Sequence, residues 1–201
     1  MVAGPLDGIR VEALAAQHDR NSFASGVEPL DRYFRVQAGQ DARKSLAAPF
    51  VLVLSDGIIA GYYTLSSTAL QLAELQERIA GRLPRYPLVP ATLLGRLAID
   101  HRHQGKGYGR FLLADALYRS VRSEIASFAV VVDAKNESAR RFYEVESFLP
   151  LPQQPMKLFR PMADIRRLFE KKITGRLRTP RAFLAPQPTA TCTLPSTTRT
   201  G

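Results

Sequence analysis

The chain has 201 residues, of which 45% are hydrophobic and 23% charged, and this composition is typical of a globular protein with one substantial core. Lys and Arg outnumber Asp and Glu by 28 to 18, and the resulting formal charge of +10 fits polyanionic partners such as nucleic acid and, equally, a solvated basic surface. The only cysteine, Cys192, excludes an internal disulfide and a Cys-based zinc site, and no apolar run reaches the roughly 18 residues of a membrane span.

The first half of the chain predicts an early helix and a β-hairpin. Apolar residues recur at helical spacing within residues 27–44. Two β-rich runs, residues 50–54 and 58–65, are joined by a short turn and predict an antiparallel hairpin. A short helix is predicted over residues 74–83, and a stretch punctuated by prolines follows it.

The second half predicts strands and helices that alternate around a glycine-rich loop. A strand over residues 92–100 precedes the loop, and a helix with one apolar face follows it to about Ile125. Residues 128–134 are almost wholly apolar, as is typical of a central strand covered on both faces. The remaining predicted elements are a helix over residues 136–144, a strand over 156–159 and a short helix over 164–171.

These elements predict a single α/β domain over residues 1–172, with a mixed sheet and covering helices. Residues 173–201 are rich in Thr, Pro and Arg and have no sustained apolar period, so we expect a mobile basic tail. This tail offers Arg176, Arg178 and Arg181 as contacts for RNA. The start of the chain lacks a basic segment followed by an apolar one, so a cytoplasmic protein without membrane association is expected.

A loop with three alternating glycines lies between the predicted strand over residues 92–100 and the long helix. Such a helix start offers unpaired backbone N–H groups and the positive end of the helix dipole, which together bind phosphate. Glycines leave the backbone open to an anion, and flanking cations add positive charge. The spacing differs from a Rossmann Gly-x-Gly-x-x-Gly, no Gly-Lys-Ser/Thr closes a P-loop, and a plain turn or helix cap stays open. The residues concerned are Gln104, Gly105, Lys106, Gly107, Tyr108, Gly109 and Arg110.

The pattern Gln104-x-x-Gly107-x-Gly109, after a strand and before a helix, resembles the acetyl-CoA signature of the GNAT superfamily. Residues 130–136 and 142–144 resemble the fifth strand and the following helix of that superfamily. The resemblance implies a mostly antiparallel mixed sheet whose fourth and fifth strands splay apart, with flanking helices. It also implies acetyl-CoA as the acetyl donor, with its pyrophosphate on the glycine loop.

A narrower likeness, from about Leu14 to Leu168, is to the GNAT toxins of bacterial toxin-antitoxin modules, which acetylate the amino group of aminoacyl-tRNA. It implies that this chain inhibits translation in the same way and is silenced by a ribbon-helix-helix antitoxin. Two features depart from the pattern, since Ser147 stands where the family commonly has Gly before Phe148, and the tail is longer than the pattern requires. The likeness is carried by residues 23–26, 30–34, 61–65, 94–100 and 142–144.

The resemblance also assigns roles in acetyl transfer. By its place in the motif, Tyr143 is the candidate acid that protonates the departing thiolate, because a phenol with a pKa near 10 stays protonated at neutral pH. Without the motif, Tyr143 would be read as a half-buried aromatic on a helix. Backbone groups of Leu97 and Ile99 match the positions that bind the pantetheine arm as an added strand would. Asn136 is a candidate contact for the same arm, and a helix N-cap is its alternative role.

No comparable general base is evident. The fourth strand has no carboxylate before Asp100, and His101 and His103 are expected on the surface. An α-amino group titrates near 7.7–8.0 and an adjacent ester lowers that pKa, whereas a lysine amine, near 10.4, needs a base far more. The missing base therefore favours an aminoacyl ester over lysine. The histidines also lack neighbouring ligands at metal-site spacing, so no metal is expected.

The sequence is compatible with three functions. Acetylation of aminoacyl-tRNA accounts for the basic charge and for the toxin-like segments. Acetylation of a small amine or of a protein N-terminus accounts for the glycine loop as well, and the basic charge discriminates only weakly between these two functions, whereas the toxin-like segments discriminate better. A non-catalytic nucleic-acid-binding module accounts for the charge but not for the loop, Asn136 and Tyr143 occurring in register. The oligomeric state stays open, with a homodimer as one possibility.

Overall fold

The computed structural model describes residues 8–174, so the predicted tail lies outside the described residues except for its first two positions. The strands are β1 (Arg10–Ala13), β2 (Ala48–Val53), β3 (Ile59–Gln71), β4 (Leu88–Ile99), β5 (Ala129–Asp133), β6 (Leu149–Leu151) and β7 (Gln154–Pro161). The helices are α1 (Glu28–Arg32), α2 (Ala38–Arg43), α3 (Glu77–Ala80), α4 (Tyr108–Arg122), α5 (Glu137–Val145) and α6 (Met162–Thr174).

The seven strands form one sheet in the order β1-β2-β3-β4-β5-β7-β6. Neighbouring strands are antiparallel except for β4 and β5, which run parallel. Parallel neighbours need a crossover connection, and here it consists of the glycine loop and α4. The prediction of a single α/β domain with a mixed, mostly antiparallel sheet and flanking helices is confirmed.

Helices cover both faces of the sheet. On one face, which we call the donor face, α4, α5 and α6 pack on a large apolar cluster that includes Tyr63, Val130 and Val132. On the other, the acceptor face, the α1–α2 segment covers Tyr62 and its neighbours, while the region of α3 packs near Val131. Successive residues of a strand point to opposite faces, so β5 is buried on both sides, as its apolar sequence predicted.

The predicted helix over residues 27–44 is a continuous helical run interrupted by a π-helical turn, Tyr33–Gln37, which joins α1 to α2. Its apolar side carries Phe34, whose ring stacks on that of Tyr62 with centroids 4.3 Å apart. Phe23 meets both rings edge-on. Aromatic pairs prefer such offset and edge-on contacts, so these rings anchor the segment from Phe23 to Phe34 on the acceptor face of β3.

The sheet is larger than predicted. The short outer strands β1 and β6, of four and three residues, were missed because they give little periodic signal. Strand β3 extends beyond the predicted end at residue 65 through a polar stretch that pairs with β4. Strand β4 begins at Leu88 and includes Pro90, and the pairing of β4 with β5 starts only at Ala91, where no proline interferes.

The predicted helix over residues 74–83 is wrong in extent. The structure has a 3₁₀ turn, Leu72–Glu74, followed by the four-residue α3. A short helix gains few hydrogen bonds for the dihedrals that it orders, and Gly81 and Pro84 limit its growth. None of the helices within residues 8–174 combines the length and the apolar character needed to cross a bilayer.

Candidate active site

An opening between β4 and β5 lies at the centre of the sheet. The two strands pair only from Ala91 opposite Ala129 to Leu93 opposite Val131. Beyond these pairs β4 continues to Ile99 and β5 to Asp133 without pairing to each other. The two strands therefore diverge toward their carboxyl ends, which is the splay that the resemblance implied.

The backbone of β4 faces this opening at the two predicted positions. Asp100 donates its N–H to Ala60 O on the β3 side, at 2.9 Å. Peptide groups alternate in direction along a strand, so those of Leu97 and Ile99 point away from β3 and toward β5. The carbonyl of Ile99 accepts a hydrogen bond from Gln104 Nε2 at 3.1 Å, as this direction requires. Binding of a pantetheine arm here stays a prediction, and the backbone has the orientation for it.

The glycine loop leads directly into the amino end of α4. Gly105 and Gly107 have φ of 74° and 83°, a left-handed conformation that glycine adopts without strain. Gly107 is the N-cap of α4, and no side chain caps the first N–H groups of the helix. A Cβ atom built at Gly105 or Gly107 would meet nothing within 4 Å, so the space over the loop is open. These unsatisfied donors and this open space fit the pyrophosphate of acetyl-CoA.

The loop side chains have partners within the protein. Lys106 Nζ lies 3.4 Å from His103 Nδ1, and Arg110 Nε lies 2.7 Å from Glu146 Oε1. Both cations stay exposed, so they still contribute positive potential beside the loop. Tyr108 and Gly109 begin α4, where Tyr108 packs against the donor-face cluster. The cofactor contacts of the four residues stay predictions.

Gln104 has a structural role that its place in the signature did not reveal. Its amide nitrogen donates to the carbonyls of Ser25 and Ile99, at 2.9 and 3.1 Å. The side chain thus links the loop both to the end of β4 and to the segment around Ser25. A direct contact of Gln104 with the cofactor stays a prediction.

Asp100 also binds the segment that contains Ala24 and Ser25. Its carboxylate is fully buried and accepts hydrogen bonds from Ala24 N at 3.1 Å and from the backbone and guanidinium of Arg102. Burial alone would raise the pKa of Asp100, but the hydrogen bonds from Arg102 and Ala24 outweigh it and hold the pKa well below its usual range. The carboxylate therefore stays ionised and cannot serve as a base.

We expect Asp100→Asn to lower the free energy of unfolding by about 2 kcal/mol at pH 7, because a hydrogen bond to a charged group is worth about 1.5–3 kcal/mol. The folded pKa of Asp100 is depressed, so its contribution is complete above the unfolded pKa of about 3.9 and declines as the pH falls below it. Urea denaturation at pH 7 and pH 3 measures this, with exposed Asp56→Asn as control. An equal loss at both pH values would contradict the assignment.

Tyr143 lies on α5 and belongs to the donor-face cluster, against which Leu97 and Ile99 of β4 also pack. Its residue is 8% exposed, and its ring packs against those of Phe142 and Phe148. Burial raises the pKa of Tyr143 to about 12, so the phenol is neutral at physiological pH. The hydroxyl forms no hydrogen bond with a described residue, and it is not among the fully enclosed polar atoms. It is therefore a protonated donor still free to act, and its catalytic role stays a prediction.

Asn136 serves as a helix N-cap, the alternative role that the sequence left open. It is the N-cap of α5, and its side-chain oxygen accepts from Ala139 N at 2.9 Å. This cap fixes the start of the helix that carries Tyr143. The amide nitrogen of Asn136 takes no part in the cap, and its contact with a pantetheine arm stays a prediction.

One charged residue near the opening escaped the sequence reasoning. Asp133 ends β5 two residues after Val131, so both point to the acceptor face, and its side chain is exposed. It forms no ion pair with a described residue. A charged residue that ends a wholly apolar strand was the signal that could have identified it. Within residues 8–174, no three His, Cys, Asp or Glu side chains are grouped to hold a metal ion.

Comparison with known families agrees with this geometry. The model of a family described as the acetyltransferase (GNAT) family matches residues 14–147. The match includes strands β2 to β5, the glycine loop and Tyr143.

Two curated relatives match most of the chain. A "tRNA-acetylating toxin" of Mycobacterium tuberculosis (strain ATCC 25618 / H37Rv) is 36% identical over 152 residues, which is 75% of this chain and 90% of the relative. A "probable toxin TacT" of Sinorhizobium fredii (strain NBRC 101917 / NGR234) is 30% identical over 162 residues, covering 76% of this chain and 90% of the relative.

Solved structures of similar toxins share the fold. The toxin AtaT in complex with acetyl-methionyl-tRNAfMet is 30% identical, with a TM-score of 0.75 over 80% of this chain and 99% of AtaT. A mutant AtaT bound to the C-terminus of the antitoxin AtaR and to acetyl-CoA is 27% identical, with a TM-score of 0.69 over 81% of this chain and 99% of that one.

Proposed function

The chain belongs to the acetyltransferase (GNAT) family, and from this we propose that it transfers the acetyl group of acetyl-CoA to the α-amino group of aminoacyl-tRNA. The observation that carries the proposal is the opening between β4 and β5, with the glycine loop and Tyr143 on its donor face. The similarity to a tRNA-acetylating toxin and to AtaT, which was solved with acetyl-methionyl-tRNA, supports the choice of substrate.

Different residues around the opening have different roles in the reaction. The N–H groups at the start of α4 hold the pyrophosphate, and the outward peptide groups of Leu97 and Ile99 align the pantetheine arm. Acetyl-CoA supplies the thioester whose carbonyl carbon the amine attacks. As the C–N bond forms and the C–S bond breaks, the Tyr143 hydroxyl donates its proton to the departing sulfur, and the proton that the nitrogen loses on becoming an amide restores the Tyr143 phenolate to the neutral phenol. Its raised pKa keeps that proton in place until then.

The acceptor amine must be neutral before it attacks. Asp100, the carboxylate at the end of β4, is buried and fully engaged, so it cannot remove a proton. An α-amino group with a pKa of roughly 7.7–8.0 already has a neutral fraction at pH 7, whereas a lysine amine near 10.4 has almost none. This arrangement favours an aminoacyl ester, and exposed Asp133 is the charged residue of β5.

We further propose the biological setting. The chain is the toxin of a toxin-antitoxin module, acts in the cytoplasm and stops translation by blocking the amino group of charged tRNA. A ribbon-helix-helix protein is its antitoxin, and a homodimer is its proposed assembly. The mutant AtaT structure with the antitoxin AtaR supports an antitoxin partner for this chain.

Transfer of labelled acetyl groups tests the proposed substrate. The wild-type chain is incubated with labelled acetyl-CoA and with charged tRNA, deacylated tRNA, spermidine or a short peptide in parallel. We expect label only in charged tRNA, released by mild base as N-acetylamino acid. Labelling of spermidine or of the peptide, with charged tRNA left unmodified, would instead establish the small-amine or N-terminal function.

A further inference from the structure

Arg96 is a cation of β4 that the reaction described so far does not use. Its guanidinium carbon lies 3.5 Å from the centroid of the Tyr33 ring, which is stacking distance. The side chain is half-buried, yet it forms no hydrogen bond or ion pair with any described residue. None of its nitrogens is a fully enclosed, unpartnered atom, so its N–H donors are open to a ligand.

Tyr33 is a fixed support for this cation. The residue is 3% exposed, and its hydroxyl donates to Asp41 Oδ2 at 2.9 Å. Burial first, and then this hydrogen bond, raise the pKa of Tyr33 to about 12, so the phenol stays neutral. The attraction to Arg96 is therefore of the cation–π kind, and it holds the guanidinium over the ring.

Arg96 points to the acceptor face. Ala98, two residues further along β4, belongs to the cluster that includes Tyr33 and Tyr62, and residues two apart on a strand share a face. The glycine loop, α4 and Tyr143 lie on the donor face. The proposed function puts acetyl-CoA on the donor side of the opening, so the amine would reach the thioester from the side on which Arg96 lies.

We propose that Arg96, supported by Tyr33, binds the 3′-terminal nucleotide of the aminoacyl-tRNA through stacking on its base and hydrogen bonds to its phosphate. This inference rests on the proposed function, because the amino acid is esterified to the ribose of that nucleotide. Guanidinium planes stack on the unstacked bases of RNA ends, and their N–H groups match phosphate oxygens. A polyamine or a peptide N-terminus offers neither group. The pair of Arg96 and Tyr33, which we call the platform, therefore makes the enzyme prefer charged RNA.

The test compares two acceptors that carry the same amine. One is aminoacyl-tRNA, and the other is the methyl ester of the same amino acid, which lacks a nucleotide. We expect Arg96→Ala to raise KM for aminoacyl-tRNA about 10- to 100-fold, the range found for loss of one stacked base. Its kcat/KM for the methyl ester should stay within about twofold of wild type, and its affinity for acetyl-CoA should not change.

Two further variants separate stacking from charge. Arg96→Lys keeps the charge without the flat guanidinium, so it should recover only part of the affinity for tRNA. Arg122→Ala removes the same charge from the exposed far end of α4, at about 20 Å from the glycine loop, and should leave KM almost unchanged.

The outcomes are distinguishable. If wild type leaves charged tRNA unmodified, the proposed function fails and the platform fails with it. If wild type acetylates charged tRNA but Arg96→Ala behaves like Arg122→Ala, the platform alone is wrong. An equal loss on the methyl ester would show that Arg96 supports the fold or the chemistry. A fully active Arg96→Lys would show that charge suffices without stacking, and would also overturn the proposal.

Discussion

Gly107→Asp should weaken acetyl-CoA binding by at least about 100-fold, because it places a negative charge beside the site for the pyrophosphate. Two unit charges 4 Å apart repel by about 4 kcal/mol at an effective dielectric constant of 20. The protein itself has room for the side chain, since a Cβ at Gly107 would meet nothing within 4 Å. Room alone does not remove backbone strain at the φ of 83°, so a neutral variant of the same size is needed to separate strain from charge. Isothermal titration with acetyl-CoA measures the effect.

Gly107→Asn is the matched control. Asn is isosteric with Asp and neutral, and it tolerates the left-handed conformation that the φ of 83° requires better than most residues do. We expect Asn to cost about tenfold or less in affinity, with a thermal midpoint similar to that of the Asp variant. Equal losses for Asp and Asn would point to bulk instead of charge. Unchanged affinity in a folded Asp variant would place the pyrophosphate elsewhere.

The local elements around the loop were predictable because each has a strong local cause. The glycines at 105 and 107 adopt positive φ before a helix, and the apolar run of β5 is buried on both faces. The splay could not be read from local pattern, since it depends on where the pairing of β4 with β5 stops, after Leu93. The splay was predicted only from the resemblance to the GNAT superfamily.

The toxin-like segments have a physical role that the pattern did not disclose. Phe23, Phe34 and Tyr62 form one aromatic group, and Asp100 and Gln104 bind the backbone of Ala24 and Ser25. The two hydrogen bonds join residues 76 and 79 positions apart in the chain. Sequence periodicity reports neighbours within a helix or strand, so such long-range hydrogen bonds and the face of Arg96 needed the structure.

Tyr143→Phe should lower kcat for acetylation of aminoacyl-tRNA about 10²- to 10⁴-fold, the usual cost of removing a general acid. The change deletes one hydroxyl that has no described hydrogen-bond partner, while the ring keeps its packing against Phe142 and Phe148. Stability and affinity for acetyl-CoA should therefore barely change. Tyr118→Phe, on α4 and packed against Phe169, removes a tyrosine hydroxyl elsewhere and should stay active.

The pH dependence of kcat/KM gives a second readout for the same residue. The substrate amine must lose its proton, so the rate should rise with pH up to about 8 and then level off. An acid with a pKa of about 12 stays protonated through this range, so wild type should show no falling limb up to pH 9. Tyr143→Phe should keep the rising limb at a much lower plateau. A variant that loses cofactor affinity together with turnover would make Tyr143 a positioning residue, and a fully active variant would refute the acid role.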